Sequence, residues 1–424
     1  MTSIASRLRA GLPGSYWKLW SASAGSNLAD GMFWVALPLL AITLTDSPAL
    51  VAGVTVASRL PWLIFSLVAG ALADRLDRRR TMIAVDLFRA ALLGGLAIAT
   101  FAGVASIPVL YVVAFALGVA ETLFDTSAQS IMPNIVEADR LNVANGRLYA
   151  VELSMNQFVG PPLGGFLAAI ALSLAFGAGA AAYLLAALAI FLIAGTFKPV
   201  REGPPTRIHQ DIAEGLRYLF GHPLLRVLAA MVGISNLASS AVFSLIVLYA
   251  VAPGPLGLDE VGFGLLLTGS AIGSLIGTFI TEPLERLLGR ANLLAVSIAG
   301  FGVPMVVLGL TTNIPIIVIT LILGGIIGIA WNVVTVSLRQ RIVPDHLLGR
   351  LNASYRLLAW GTMPIGAALG GIVGEAYGLP AVFILFGGLQ LLLVFGRLFI
   401  TEERIRAAEI VRPADEGRAP EAAG

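Results

Sequence analysis

Twelve apolar runs, each about the length needed to cross hydrocarbon, constrain this chain more than any other feature. Spanning a bilayer core takes about 20 mainly apolar residues in a helix. The runs fall near 17–44, 49–73, 82–102, 107–132, 146–170 and 174–196, and then near 224–251, 258–284, 291–312, 314–338, 352–374 and 380–400. With 57% hydrophobic residues, 12% charged and a mean hydropathy of +0.89, the chain lies outside the soluble globular range. An all-α integral membrane protein of about twelve transmembrane helices is predicted. Zero cysteines and three histidines, none in an HxxxH arrangement, argue against disulfides, thiolate metal sites and a zinc centre. No metal and no cofactor is expected. The basic residues lie between apolar runs and not in one patch, so no nucleic-acid partner is expected either.

Those basic residues set the orientation. In GALADRLDRRR, from Gly70 to Arg80, the charges Asp74, Arg75, Asp77, Arg78, Arg79 and Arg80 separate two apolar runs. Lys and Arg concentrate in cytoplasmic loops. If this turn is cytoplasmic, so are both termini and the turns near Arg140, Lys198–Arg226, Arg286–Arg290 and Arg339–Arg350, all of which carry Arg or Lys. The turns of the opposite side, around Thr45-Asp46-Ser47, Gly103–Ser106, Phe176-Gly177, Pro253–Glu260, Thr311-Thr312-Asn313 and Glu375–Leu379, carry neither. The expectation is a multi-pass protein of the cell (inner) membrane with both termini inside: a tail at 1–16, a six-helix half at 17–197, a linker at 198–222, a second six-helix half at 223–401 and a disordered tail at 402–424. In the linker, Ile208, Ile212, Leu216 and Leu219 recur at helical spacing, which predicts an amphipathic interfacial helix.

An internal repeat runs through the two halves. Ser26-Asn27-Leu28-Ala29 returns as Ser235-Asn236-Leu237-Ala238, Ile107-Pro108 as Ile314-Pro315, and Arg140-Leu141-Asn142 as Arg350-Leu351-Asn352. Each copy stands about half the chain from its original, at the matching point of the corresponding span. Two parallel halves with a site between them is a transporter architecture.

The basic turn carries the first chemistry. Gly70 lets a neighbouring backbone come close, Asp74 can face a helix N-terminus or an arginine, and the arginines can reach acids on adjacent helices. Such a cluster can latch the cytoplasmic face; its bland alternative is a solvated basic turn. In register, Gly70, Leu72, Ala73, Asp74, Arg75, Arg78, Arg79 and Arg80 resemble the G-x-L-A-D-R-x-G-R-R/K-R/K loop of the major facilitator superfamily. Asp77 stands where that pattern has glycine, and the second-half copy, Pro283 to Arg290, lacks the aspartate. In the fifth span, Gly160-Pro161-Pro162-Leu163-Gly164-Gly165 is similar to the GPxxGG of the superfamily's proton-driven drug antiporters, although Asn156 replaces a further glycine. Proline removes a backbone donor and the glycines allow close approach to the partner half. Plain glycine-mediated packing is the rival reading. With the linker helix and the DLFR and ETLFD stretches, the resemblance is to the twelve-helix drug:proton antiporter branch of macrolide and tetracycline efflux pumps and enterobactin exporters.

Acids within spans are costly and mark ion paths or partners. Asp30 lies near the middle of the first span, and Glu121 and Asp125, four residues apart, share a face of the fourth. By position Asp125 reaches Arg78 or Arg79, which resembles the superfamily's charge relay between helix four and the basic turn. Asp30 and Glu121 are then the candidates for proton carriage, since a carboxyl at depth can exchange its proton as a cavity opens to either side. Arg59 is read as the one basic residue at mid-depth and as the neutralising partner of either acid, in a static pair or in the coupling itself. Asp86 and Arg89 are spaced as a structural pair just inside the third span. The resemblance implies that helices one, four, seven and ten line a cavity. Asn27, Asn156, Gln157, Asn236 and Asn332 supply polar groups at depth, and Phe33, Phe124, Phe243 and Trp331 suit a bulky substrate, although each aromatic could equally be packing.

The resemblance thus implies a monomeric exporter of small amphipathic molecules, driven by the proton gradient through alternating access and without catalytic residues. No phosphate loop is present. An importer or uniporter of the same fold and a non-transporting membrane scaffold or sensor are the alternatives.

Overall fold

With no water in hydrocarbon to satisfy a free N–H or C=O, backbone hydrogen bonds close within each segment. The computed structural model is accordingly helical almost throughout, and it describes residues 11–73, 76–137, 140–195, 197 and 208–410. The first half holds α1 (Gly14–Leu44), α2 (Pro48–Ala73), α3 (Arg78–Phe101), α4 (Ile107–Ile135), α5 and α6 (Leu172–Phe191). Helix α5 is one rod in two segments, Leu141–Leu153 and Gly160–Ile170, joined by a π-helical turn at Ser154–Val159. After the linker helix α7 (Ile208–Gly221), the second half holds α8 (Pro223–Phe243, continued by Ile246–Ala250), α9 (Glu260–Leu288), α10 (Arg290–Leu310), α11 (Ile314–Ile342), α12 (Asp345–Tyr377) and α13 (Leu379–Leu392). A last helix, α14, spans Glu402–Ile410. Among the described residues, 11 helices are long and apolar enough to cross a membrane. The interrupted α5 makes the twelfth rod. The turn expected at Phe176-Gly177 falls at Ala171 instead, and Phe176 is buried inside α6.

The halves are related by a twofold pattern of contacts. In the first, α3 packs on α6, α2 on α4, and α1 on α6 and α5; in the second, α10 packs on α13, α9 on α11, and α8 on α13 and α12. The two seams between halves exchange in the same way, α5 against α9 and α2 against α12. On α5 the contact with α9 is made mainly by Gly160–Ile170, at the end opposite the basic turns, whereas α2 and α12 meet from Ala49 against Gly371 to Leu63 against Gly361.

Glycines make that close approach possible. A Cβ on Gly160 would stand 2.6 Å from the Gly31 Cα, and one on Gly164 2.8 Å from the Met32 Cα, so this face of α5 lies directly on α1. Gly165 turns the other way, onto Glu260 and Gly264 of α9. The stretch Gly366-Ala367-Ala368-Leu369-Gly370-Gly371 of α12 repeats the arrangement, which the sequence reading missed. Gly366 and Gly370 lie on Leu237 and Ala241 of α8, and Gly371 on Ala49 and Ala52 of α2. Glu375, one turn further, accepts hydrogen bonds from the Ser47 hydroxyl (2.7 Å) and the Ala49 N–H (3.3 Å), so a carboxylate of one half caps a helix of the other.

At the basic end each half is tied to the segment that follows its sixth rod. Asp77, the departure from the superfamily pattern, is the N-cap of α3: it accepts from the Arg80 N–H at 3.0 Å and from the Phe197 N–H at 3.1 Å. In the second half the acid comes from further along the chain. Glu402 of α14 accepts from the Ala291 N–H at 2.8 Å, and Glu409 pairs with Arg290 at 2.5 Å and Arg341 at 3.3 Å. The tail expected to be disordered from residue 402 is therefore a docked helix as far as Ile410, held by ion pairs that composition alone could not reveal; residues 411–424 lie outside the described residues. Helix α7 docks as well, with Leu219 buried, Gly215 against α12 and Glu214 paired with Arg350.

The seams generate a test in a chain that has no cysteine. Gly165→Leu or Gly371→Leu should part the halves at this end and raise, several-fold, the labelling of Ser240→Cys, which faces the space between them, by an impermeant thiol reagent. Gly388→Leu, at a position with nothing within 4 Å, should leave labelling unchanged. Unaltered labelling in both seam variants would show that the glycines do not hold this end shut.

Candidate functional site

Between the halves lies a cavity of 310 Å³. Asp30, Phe33 and Trp34 of α1, Thr55, Ser58 and Arg59 of α2, Glu121 of α4 and Tyr183 of α6 line one wall. Asn236, Ser239, Ser240 and Phe243 of α8, Phe263 and Leu267 of α9 and Met363 of α12 line the other. A mostly apolar, aromatic wall with a few convergent polar groups is the usual form of a small-molecule site. Its charges all come from the first half.

Asp30 is the best connected of these groups. Its Oδ1 accepts a 2.5 Å hydrogen bond from the Tyr183 hydroxyl, and its Oδ2 lies 3.9 Å from Nη1 of Arg89. Arg89 also lies 3.9 Å from Asp86, whose two oxygens accept from Ser26 Oγ at 3.2 and 3.3 Å. The rings of Phe124 and Tyr183 flank the guanidinium, each centroid 5.2 Å from its carbon. Arg89 stands eleven residues into α3, about 16 Å along it, and is only 1% exposed. The pair read as structural and shallow is thus deep, and Arg59 is not the one basic residue at depth. Nor is Arg59 the partner of Asp30: its guanidinium sits over the Trp34 ring, 4.0 Å from the centroid. Glu121, on the same cavity wall, accepts from the Trp62 indole N–H at 3.5 Å, and Trp62 in turn meets Trp360 of the second half edge to face at 4.8 Å.

The expected Asp125 relay is not formed among the described residues. Arg78 donates to Asn134 at 2.7 Å, and Arg79 donates to the Ile190 and Phe191 carbonyls at the C-terminal end of α6. Exposed carbonyls at a helix end are natural partners for a cation. Asp125 interacts instead with the charges of Glu121, Arg89, Asp30 and Glu152. Asp74 and Arg75 lie outside the described residues, as do the surroundings of Gly70, which lies in the last turn of α2.

Of the residues proposed for the cavity, Phe33, Asn236 and Phe243 line it. The others go elsewhere. Asn27 donates back to the Ser23 carbonyl at 2.9 Å, Asn156 and Gln157 belong to the π turn, and Phe124 is buried beneath Arg89. Trp331 is buried in the second-half core and Asn332 is exposed, so α11, the tenth span, does not reach this cavity, and α2 takes the place it was assigned. Gly160, Pro161, Gly164 and Gly165 are buried at the seams and outside the cavity wall. The signal for Arg89 was present in the sequence, since Asp86 and Arg89 share a face, but depth along α3 was misjudged by starting that span too late.

Removing Arg89 would leave the buried Asp86 and the cavity-facing Asp30 without their counter-charge, and breaking a buried pair costs about 3–5 kcal/mol. Arg89→Ala should therefore lower the thermal unfolding midpoint markedly, and Asp30→Asn with Asp86→Asn in the same chain should recover much of the loss. A midpoint unmoved by Arg89→Ala would show the guanidinium to be free of that role.

Comparison with known proteins bears on the family and the fold. The model of the transmembrane secretion effector family matches residues 12–421. The multidrug efflux pump Tap of Mycolicibacterium fortuitum is 27% identical over 401 residues, 90% of this chain and 95% of that one. The enterobactin exporter EntS of Salmonella choleraesuis is 26% identical over 390 residues, 88% and 90% of the two chains. Among solved structures, the nucleoside transporter NupG superposes with a TM-score of 0.72 at 14% identity, covering 91% of this chain and 98% of that one. A bacterial homologue of the lysosomal transporter Spinster, inward-facing, gives 0.69 at 14%, covering 93% and 96%; both establish the fold alone. The chain belongs to the transmembrane secretion effector family of the major facilitator superfamily, as a multi-pass membrane protein and secondary transporter.

Proposed function

We propose that this transporter exports small amphipathic molecules across the inner membrane, as a monomer with both termini cytoplasmic, in exchange for protons. The observation that carries the reading is Asp30. It opens onto an aromatic cavity between the halves and is at the same time bound to Tyr183 and paired with the buried Arg89. A proton arriving at Asp30 cancels the attraction to Arg89, so substrate, proton and helix packing meet at one carboxylate. Glu121 offers a second acid on the same wall. The relatives named as a multidrug efflux pump and an enterobactin exporter support export, as does the glycine seam of α5, which resembles the antiporter motif.

In proteoliposomes under an imposed pH gradient, proton flux should start on addition of a member of a panel of lipophilic cations, macrolides, tetracyclines and catecholate siderophores. Asp30→Asn and Glu121→Gln should assemble normally and lose gradient-driven export. Full activity in both variants would overturn the coupling, and substrate movement without proton flux would make the protein a uniporter.

A further inference from the structure

The mechanism proposed above uses Asp30 and leaves Asp86 without a task. Asp86 is fully buried on α3, is not among the residues that line the cavity between the halves, and faces the same Nη1 of Arg89 as Asp30. The two distances are equal, 3.9 Å, and both exceed hydrogen-bond length. Among the described residues Nε, Nη1 and Nη2 of Arg89 make no hydrogen bond. Two aromatic rings lie beside the group, each centroid 5.2 Å from its carbon. One cation is shared by two carboxylates, one open to the cavity and the other sealed.

We propose that Asp86 is a positioning residue for proton coupling: it competes with Asp30 for the Arg89 guanidinium and so sets how readily Asp30 takes up a proton. The inference rests on the reading of Asp30 as the proton carrier. When Asp30 is charged, it shares Arg89 with Asp86. When Asp30 binds a proton, the guanidinium turns to Asp86, whose charge is held by Ser26 of α1, and the pull of Arg89 on Asp30 is lost. Without a second acceptor the guanidinium would belong to Asp30 alone and would hold its proton off. The other groups facing Asp30 are Tyr183 of α6, Glu121 and Asp125 of α4 and, on the same cavity wall, Arg59 of α2. They are common to wild type and variant, so a change at Asp86 reads the competition itself.

The test follows the carboxylic-acid C=O band of the full-length protein in liposomes by infrared spectroscopy across pH. No ligand is needed. A titrating band should be present in wild type and missing in Asp30→Asn. In Asp86→Asn its midpoint should move toward acid by about one pH unit or more, because a neighbouring positive charge is concentrated on Asp30 and a negative one is removed. Ser26→Ala, which takes away the hydroxyl shared by both Asp86 oxygens, should move it the same way by less, and it serves if Asp86→Asn does not assemble. A midpoint unchanged in whichever variant assembles, or a band that survives Asp30→Asn, overturns the proposal. If the band shifts as expected while gradient-driven export is absent, the exporter reading fails and the role of Asp86 toward Asp30 stands.

Discussion

A charge in the middle of a bilayer has no water to turn to, and the first half of this protein is arranged around that constraint. Arg89 can remain charged at depth only because Asp30 and Asp86 face it and two rings cover it. Meeting that demand draws α1, α3, α4 and α6 together at one level, since each supplies a member of the cluster. It also determines the shape of the cavity, because Asp30 and Tyr183 are part of the cluster and of the cavity wall alike. The polar groups of the second-half wall are uncharged Asn and Ser side chains. Two halves of similar backbone thus differ in chemistry: one holds the charge, and the other presents a surface against which it can move.

Between the halves the constraint is distance. Two rods that must separate and return cannot interlock through long side chains, and here they meet through glycine and alanine at the backbone, with Gly165 against α9 and Gly371 against α2. The GPPLGG of α5 and the GAALGG of α12 place their glycines at the same spacing, two facing the half's own first rod and one facing the other half. A single twofold movement therefore acts on both seams together. Glu375 adds one charged contact across a seam that is otherwise backbone on small side chains. At the basic end each half is tethered to itself, through Asp77 in one and Glu402 with Glu409 in the other.

Much of this was legible in the sequence. Twelve rods, the half-chain repeat and the amphipathic linker helix followed from periodicity and length, because in hydrocarbon a helix is the only open-ended way to satisfy a backbone. Asp30 and Glu121 were singled out because an acid in a span is costly. What was lost depended on neighbours far apart in the chain. Asp125 shares the α4 face with Glu121 and so belongs with the inner charges, while Arg78 and Arg79 found the amide of Asn134 and the carbonyls at the end of α6. Trp331 looked like a cavity aromatic and is packed in the second-half core.

The sequence by itself determined the class of protein, the number of its rods, the doubling of the chain and the cost of each charge placed in a span. Those depend on hydropathy and spacing along one segment. Only the tertiary structure decided which charge meets which. Asp30 pairs with Arg89 and not with Arg59, and Glu402 completes a turn more than a hundred residues before it. The physical reason is that an ion pair is a contact of a few ångströms, set by the rotation of each rod about its own axis, and that rotation is chosen by packing against all its neighbours at once.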